Sequence, residues 1–456
     1  MNPEKEKVVL EVHKTKKITE KVTVDMVSAE RTIREMLANK IAGTFCGLWF
    51  LVAEHLRIGT WDLLKGWTGN NQLDMRVGMQ VINEASLCVN GGLRPRKTLC
   101  RQGFEILSGL PDISTDKQIH LLLDKHTIKE AEEVQIVLAK IRRASGDYKG
   151  RVLALDPHRI EAFTERIMPK RRTSNHDSTK KMIQTFFCLD AETRQPVLFK
   201  IGGCGHPITR ATKGLAEMVK QVFPEKVLYI SDKEHFGREL TEYFSTDNKH
   251  DILVPVPATQ KTKTLLKKLD YKEIWPGYAI AEGVYRFSEN NTEVRFLGQR
   301  FCEIASEYNY NGFATTAESS ALELLSEIYP KRWGIEEFFN FEGALGWKKA
   351  STMNLNIRYG KMTLALIAQA AGNNFRKKLS SPYNQWTVEH MAESIFSALD
   401  GDIRVKDDTI IVTIYNLPDE LNLKQRYEHL PRILEAENIC PKIPWLFDYK
   451  LDFRFK

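Results

Sequence analysis

Cysteine is sparse in this chain, with 7 in 456 residues. The seven are scattered and no Cys-x-x-Cys pair occurs, which excludes a disulfide framework and a paired-cysteine zinc module. Reduced, mostly buried thiols are the expectation. No His and Cys grouping has metal-ligand spacing either. Long apolar runs are also missing. The run Phe45 to Ala53 is too short to span a bilayer and reads as buried helix. Met1 to Lys21 is highly charged without an apolar centre, so no secretory signal is expected there. The expected location is therefore cytoplasmic, with no membrane partner. Gly202-Gly-Cys-Gly-His206 lacks the Gly-Lys-Ser/Thr ending of a phosphate loop and reads as a turn. No internal repeat or low-complexity segment is present.

What is there describes a globular protein with 42% hydrophobic and 27% charged residues. Its length exceeds one ordinary core, so two to four folding units are expected. The net charge of +7 favours a polyanionic partner without requiring one. Basic clusters stand at Arg94-Pro-Arg96-Lys97, at Lys170-Arg171-Arg172 with Lys180-Lys181, at Lys261 to Lys268 and at Arg376-Lys377-Lys378. Each suits a phosphate backbone or, equally, a solvated surface.

Residues 1–27 read as a charged arm. From Ser28, a candidate cap, Ile33, Leu37, Ile41 and Phe45 recur at helical spacing and predict a helix continuing to Leu56. Further helices are predicted around Trp61 to Trp67, Met75 to Cys88 and Lys129 to Ala144, with a break at Asn90-Gly-Gly92. Residues 28–149 thus read as an all-helical region of a size that suits DNA binding. After the polar turn Ser145 to Gly150 the pattern changes. Arg151 to Asp156 is a short apolar run ending in a carboxylate. Gln184 to Leu189 and Pro196 to Ile201 read as strands joined by the turn Asp190 to Gln195. Glu225 to Asp232 repeats the apolar run ending in Asp, with helices on either side and a strand at Asp251 to Pro255. Alternation of this kind indicates an α/β fold with a mixed sheet covered by helices. Residues 256–311 read as a β-rich insertion in a core formed by 150–255 and 312–382, and 383–456 as a C-terminal region.

The segment Tyr329-Pro-Lys-Arg332-Trp-Gly-Ile-Glu336-Glu-Phe-Phe339 places a tyrosine, an arginine and a carboxylate at i, i+3 and i+7, one face of a helix. Trp333, Phe338 and Phe339 are expected to pack inward. Pro330 predicts a break at Tyr329 and a new helix beyond it. Asp156, Asp232 and Glu336 converging at the carboxyl ends of strands would form an oxygen-rich site for a hard divalent ion. Asp190 competes for the first place, although its setting reads as a hairpin turn. His158, His176, His206 and His235 lie in the same region with structural roles expected.

Leu155-Asp156, Tyr229-Ile-Ser-Asp232-Lys-Glu-His-Phe236 and Tyr329-x-x-Arg332-Trp-x-Ile-Glu336-x-x-Phe339 together resemble the three acidic motifs of bacterial insertion-sequence transposases of the DDE class. The branch resembled carries a tyrosine–arginine–glutamate signature and a β-rich insertion. The resemblance covers about 150–380 and implies a ribonuclease-H-like core. It implies Asp156, Asp232 and Glu336 as catalytic ligands of Mg²⁺, for which Mn²⁺ would substitute, and Tyr329 and Arg332 as phosphate contacts. The family's closing lysine is replaced by Gly343, with Lys348 or Lys349 as candidate substitutes. Lys170, Arg171, Arg172 and Trp275 are further DNA-binding candidates, Trp275 by stacking on a base. The implied partners are double-stranded DNA, as terminal inverted repeats and as target, and a second copy of the chain in the DNA complex. The implied setting is the bacterial nucleoid. A non-catalytic DNA-binding descendant of such an enzyme and a structure-specific nuclease remain alternative readings.

Overall fold

A computed structural model describes residues 25–89, 103–171, 178–203, 207–247, 249–288, 292–347 and 352–456. The N-terminal region is built from α1 (Met26–Ala38), α2 (Phe50–Ile58), α3 (Thr60–Thr68), α4 (Gln72–Ser86), α5 (Asp116–Lys125) and α6 (Ile128–Ala144). Asp25, not Ser28, caps α1: its side chain accepts from the Val27 N–H. The helix expected to run on to Leu56 ends at Ala38. Ile41–Gly43 is a strand, and a 3-10 turn at Cys46–Trp49 leads into α2. Phe45 has φ +66°, a left-handed geometry that an α-helix cannot carry through. The break predicted at Asn90-Gly-Gly92 lies outside the described residues.

The short strand corrects the reading of this region as purely helical. Ile41–Gly43 pairs antiparallel with Gly401–Lys406 in a five-stranded sheet otherwise made by the C-terminal region. In that sheet Tyr449–Phe455 runs parallel to Thr409–Ile414, and Lys442–Ile443 forms the far edge. The helical N-terminal region and the C-terminal region are therefore tied by backbone hydrogen bonds.

The core is a ten-stranded sheet. Its first half comprises β1 (Val152–Glu161), β2 (Lys180–Asp190), β3 (Pro196–Gly203), β4 (Val227–Ser231) and β5 (His250–Pro255), with α7 (Ile208–Lys220) before β4 and α8 (Arg238–Thr246) before β5. The spatial order is β3-β2-β1-β4-β5. β2 runs antiparallel to β1 and β3, whereas β1, β4 and β5 are mutually parallel. This is the strand order and sense of a ribonuclease-H-like sheet. The expected insertion is β-rich but continues this sheet. After α9 (Gln260–Lys268), strands β6 (Lys272–Trp275), β7 (Tyr278–Arg286), β8 (Glu293–Phe301) and β9 (Asn309–Thr315) extend it, β9 returning antiparallel to β5. The basic cluster Lys261 to Lys268 is thus a helix, capped by Thr259 and anchored by buried Leu266.

The predicted turn between β2 and β3 forms around Asp190, which is fully buried. Its Oδ1 accepts from the Glu192 and Thr193 N–H groups and the Thr193 hydroxyl, and its Oδ2 accepts from Gly150 N at 2.6 Å. Gly150 has φ +71°, and a Cβ there would fall 2.7 Å from the Phe223 ring, so only glycine fits. With its oxygens used this way Asp190 holds the turn.

Between the two regions lies α11 (Leu355–Arg376), buried on nearly every side. It packs on α2, α4, α5 and α6 and touches β3. Arg142 of α6 staples the join: it donates to Asp147 at 2.8 Å, to the Pro196 carbonyl, to Gln369 of α11 and to Gln195 of the hairpin. Helix α4 is buried from Met75 to Ser86, which leaves it no face for a DNA groove. Among the described residues no helix is long and apolar enough to cross a membrane.

Two histidines are held neutral in this core. Burial pushes His55 down to about 3 and His250 down to about 4, the latter against the opposing pull of Asp247, from an ordinary 6.5. The unfolded chain takes these protons below 6.5 and the folded chain refuses them. The resulting stability is therefore full above 6.5 and is lost as pH falls toward 4. The slope should reach about 1.4 kcal/mol per pH unit for each histidine. His250→Gln is expected to remove up to about 1.4 kcal/mol per pH unit from the pH slope of denaturant-derived stability over this window. An unchanged slope would refute the assignment.

Candidate active site

Strand β1 is longer than predicted, and Asp156 lies within it rather than at its end. The parallel pairing with β4 nevertheless stops at Leu155, opposite Ser231. Pro157 has no N–H to extend that ladder, and beyond Leu155 the strand pairs only with β2. Asp156 and Asp232 therefore sit side by side, each one residue beyond the last pair of two parallel strands. The chain leaves β4 at Asp232, which caps the turn Lys233–His235. Asp232 Oδ1 accepts from Glu234 N at 3.0 Å and from His235 Nδ1 at 3.0 Å.

The third acid arrives on α10 (Gly334–Glu342). The approach to α10 is a change of helical pitch. Glu323–Ile328 is π-helical and Tyr329–Trp333 is 3-10. Tyr329 keeps right-handed helical angles, φ −60° and ψ −37°, so the break expected at Pro330 is a switch of hydrogen-bond spacing and not an interruption. Ile335 and Phe338 are buried, with Phe338 and Phe339 against Phe187 of β2. Phe339 also stacks on His158 of β1 at 4.2 Å. Trp333 does not pack inward as expected and is 59% exposed. The two neighbouring glutamates part company. Glu337 pairs with Arg194 at 2.6 Å on the hairpin side, whereas Glu336 accepts from Arg332 Nη2 at 2.9 Å.

Arg332 is the hub of the charges. It acts electrostatically on both Asp156 and Asp232 while bonded to Glu336. Burial pushes the Asp156 carboxyl up, the Asp232 charge adds to this, and the nearby cations His235, Arg332 and Arg159 offset only part of it, leaving about 6. Burial acts on Asp232 in the same direction. The His235 hydrogen bond and charge, the Glu234 N–H and Arg332 outweigh it and hold that carboxyl below the usual range. Burial would lower Arg332, but Glu336, Tyr329 and Asp156 keep its pKa raised. Tyr329 packs edge-on against Phe313 at 4.7 Å, and burial raises its hydroxyl against the pull of Arg332.

Among the described residues no three His, Cys, Asp or Glu side chains stand close enough to hold a metal ion. In this DNA-free state Glu336 is bonded to Arg332, whose charge also acts on both aspartates. The donor set still fits a hard divalent cation. The Asp232 charge adds to the burial that raises Asp156 to about 6, so two carboxylates stand close together, and the ligand oxygens are of the type Mg²⁺ prefers.

The remaining candidates are dispersed. Lys170 is exposed on a short strand, Lys170–Arg171, paired with Lys180–Lys181. Trp275 is 49% exposed on the edge strand β6 and stacks on Tyr278 at 4.4 Å. Four strands separate β6 from β4 in the sheet. Gly343, in the place of the family's lysine, is buried. Arg172, Lys348, Lys349, His176 and His206 lie outside the described residues. Two features were missed. One is a cavity of about 480 Å³ lined by Lys263, Lys267, Tyr308, Tyr310 and Tyr329, which no sequence signal marks because it forms between α9 and β9. The other is the bond between His235, which was expected to be structural, and Asp232; its signal was a place three residues after a turn-capping Asp.

Residues 147–370 match the family described as a transposase DDE domain. A solved structure, the piggyBac transposase synaptic complex with hairpin DNA, is similar with TM-score 0.42 and 11% identity, over 86% of this chain and 85% of that one. No protein of curated function matches.

Proposed function

We propose, from the match of residues 147–370 to a transposase DDE domain, that the chain cuts DNA at the ends of a mobile element and joins those ends to target DNA. One observation carries the reading: Asp156 and Asp232 lie abreast on parallel strands, and Arg332, bonded to Glu336, acts electrostatically on both.

In the first reaction a water oxygen attacks the scissile phosphorus and the bond to the 3′ oxygen breaks, leaving a 3′-hydroxyl and a 5′-phosphate. In the second, that hydroxyl attacks a target phosphodiester and expels the target's own 3′ oxygen. Asp156, Asp232 and Glu336 are the residues that would hold Mg²⁺. Bound there, the ion would make the attacking oxygen nucleophilic near neutral pH and shield the phosphate charge. Arg332 presents a planar fork suited to two phosphate oxygens. Its pairing with Glu336 in the DNA-free chain keeps that fork beside the acids. Tyr329 borders both this corner and the lysine-bearing cavity, and it would steer the strand between them. Two ends must be cut and joined together, so a homodimer in the DNA complex is part of the proposal.

The test supplies duplexes bearing the inverted repeats that flank the coding region, a target duplex and Mg²⁺. Joined products are expected from the wild type. Glu336→Ala is expected to bind the ends yet neither cut nor join them. Cut ends without joined products would favour the structure-specific nuclease instead, and full cleavage by Glu336→Ala would remove that residue from the site.

A further inference from the structure

The metal reading above leaves one buried polar side chain beside the acids without a role. His235 is 2% exposed, on the turn that Asp232 caps, and its ring Nδ1 lies 3.0 Å from Asp232 Oδ1. The turn packs against β5, so the ring is held by the fold as well as by the bond. An ionised carboxylate can only accept, so Nδ1 carries the hydrogen. Glu234 N donates to the same oxygen. Both donors therefore converge on Oδ1, and Oδ2 is the oxygen they leave for another partner.

We propose that His235 is a positioning residue that commits Asp232 to ligating a divalent cation through Oδ2 alone. The inference rests on the reading of Asp232 as a ligand and adds which oxygen binds and what aims it. The carboxylate torsion of Asp is a broad, soft rotor. A ligand free to turn must be ordered when the cation binds, whereas one fixed by two donors is ordered beforehand. Partners that orient metal ligands in this way typically contribute about 10–100-fold in affinity.

The test compares His235→Leu with His235→Asn in the full chain. The two replacements have the same number and branching of side-chain heavy atoms and differ in whether an N–H can be offered near the place of Nδ1. Mn²⁺ is titrated and its free concentration read by electron paramagnetic resonance, with thermal unfolding run on each protein. His235→Leu is expected to bind Mn²⁺ about tenfold more weakly or worse, and His235→Asn to recover most of the loss. Equal affinity in wild type and His235→Leu overturns the proposal, as does an equal loss in both variants, which would make the ring a packing element. Absence of Mn²⁺ binding by the wild type, or undiminished binding by Asp232→Ala, overturns the underlying metal-site reading instead.

Discussion

Asp156→Asn is expected to reduce cleavage of element ends by roughly a thousandfold or more, because losing one ligand of a metal-assisted phosphoryl transfer forfeits several kcal/mol of transition-state stabilisation. The same variant is expected to be more stable than the wild type when DNA and metal are absent. Burial, and then the Asp232 charge, hold the Asp156 carboxyl at about 6, against 3.8 ordinarily. The folded state thus disfavours the ionised form. Stability gained by protonating the group is fully present below 3.8 and is lost as pH rises through about 6. Above that pH the wild type carries the whole penalty, and an amide of the same shape carries none. The gap in melting temperature between variant and wild type should accordingly be small at pH 4 and widest above pH 6. Mg²⁺ should raise the wild type and not the variant. Melts across this range, paired with a cleavage assay, check both halves. A variant that cleaves normally, or that is the less stable protein at pH 7.5, would take Asp156 out of the site.

Arg332→Gln is expected to separate two quantities that usually fall together. Cleavage should drop on the order of a hundredfold, the usual loss when one charged donor to a reacting phosphate is removed. Mn²⁺ affinity of the DNA-free protein should rise instead. The guanidinium bonded to Glu336 at 2.9 Å bears electrostatically on both aspartates, so it opposes any second cation there. Glutamine is too short to reach in the same way and brings no charge. Arg332→Lys would keep the charge and lose the fork, so it should restore the weak metal binding without restoring cleavage. Metal titration and cleavage on the three proteins decide the matter. Unchanged Mn²⁺ affinity in Arg332→Gln would show that Arg332 does not compete for the site.

Much of the core was legible from local pattern. Apolar runs ending at Asp156 and Asp232 became neighbouring parallel strands, and the turn at Asp190 to Gln195 formed where its residues placed it. Both follow from short apolar runs and turn chemistry, which act over a few residues. The failures have different causes. Ser28 is a suitable cap by residue type, but Asp25 is the cap in the structure, because both types cap well and the choice depends on where the first turn can pack. The strand Ile41–Gly43 could not be read, since its partner Gly401–Ile403 is more than three hundred residues away. Trp333 was expected inside because aromatics prefer burial, yet the 3-10 turn rotates it outward while Ile335 and Phe338 take the inward positions.

The sequence by itself determined the candidates for the chemistry: three acids in order, with a tyrosine and an arginine at helical spacing before the last. That information is local, because residue type and short spacing are properties of the chain. Only the tertiary structure decided how they stand toward one another. The register Leu155 to Ser231 set the aspartates abreast, the pitch change at Pro330 turned Glu336 to Arg332 and Glu337 to Arg194, and the turn after β4 brought His235 onto Asp232. Those relations depend on strand pairing and on packing between segments distant in sequence, where small rotations select one of two adjacent glutamates and one of two carboxylate oxygens.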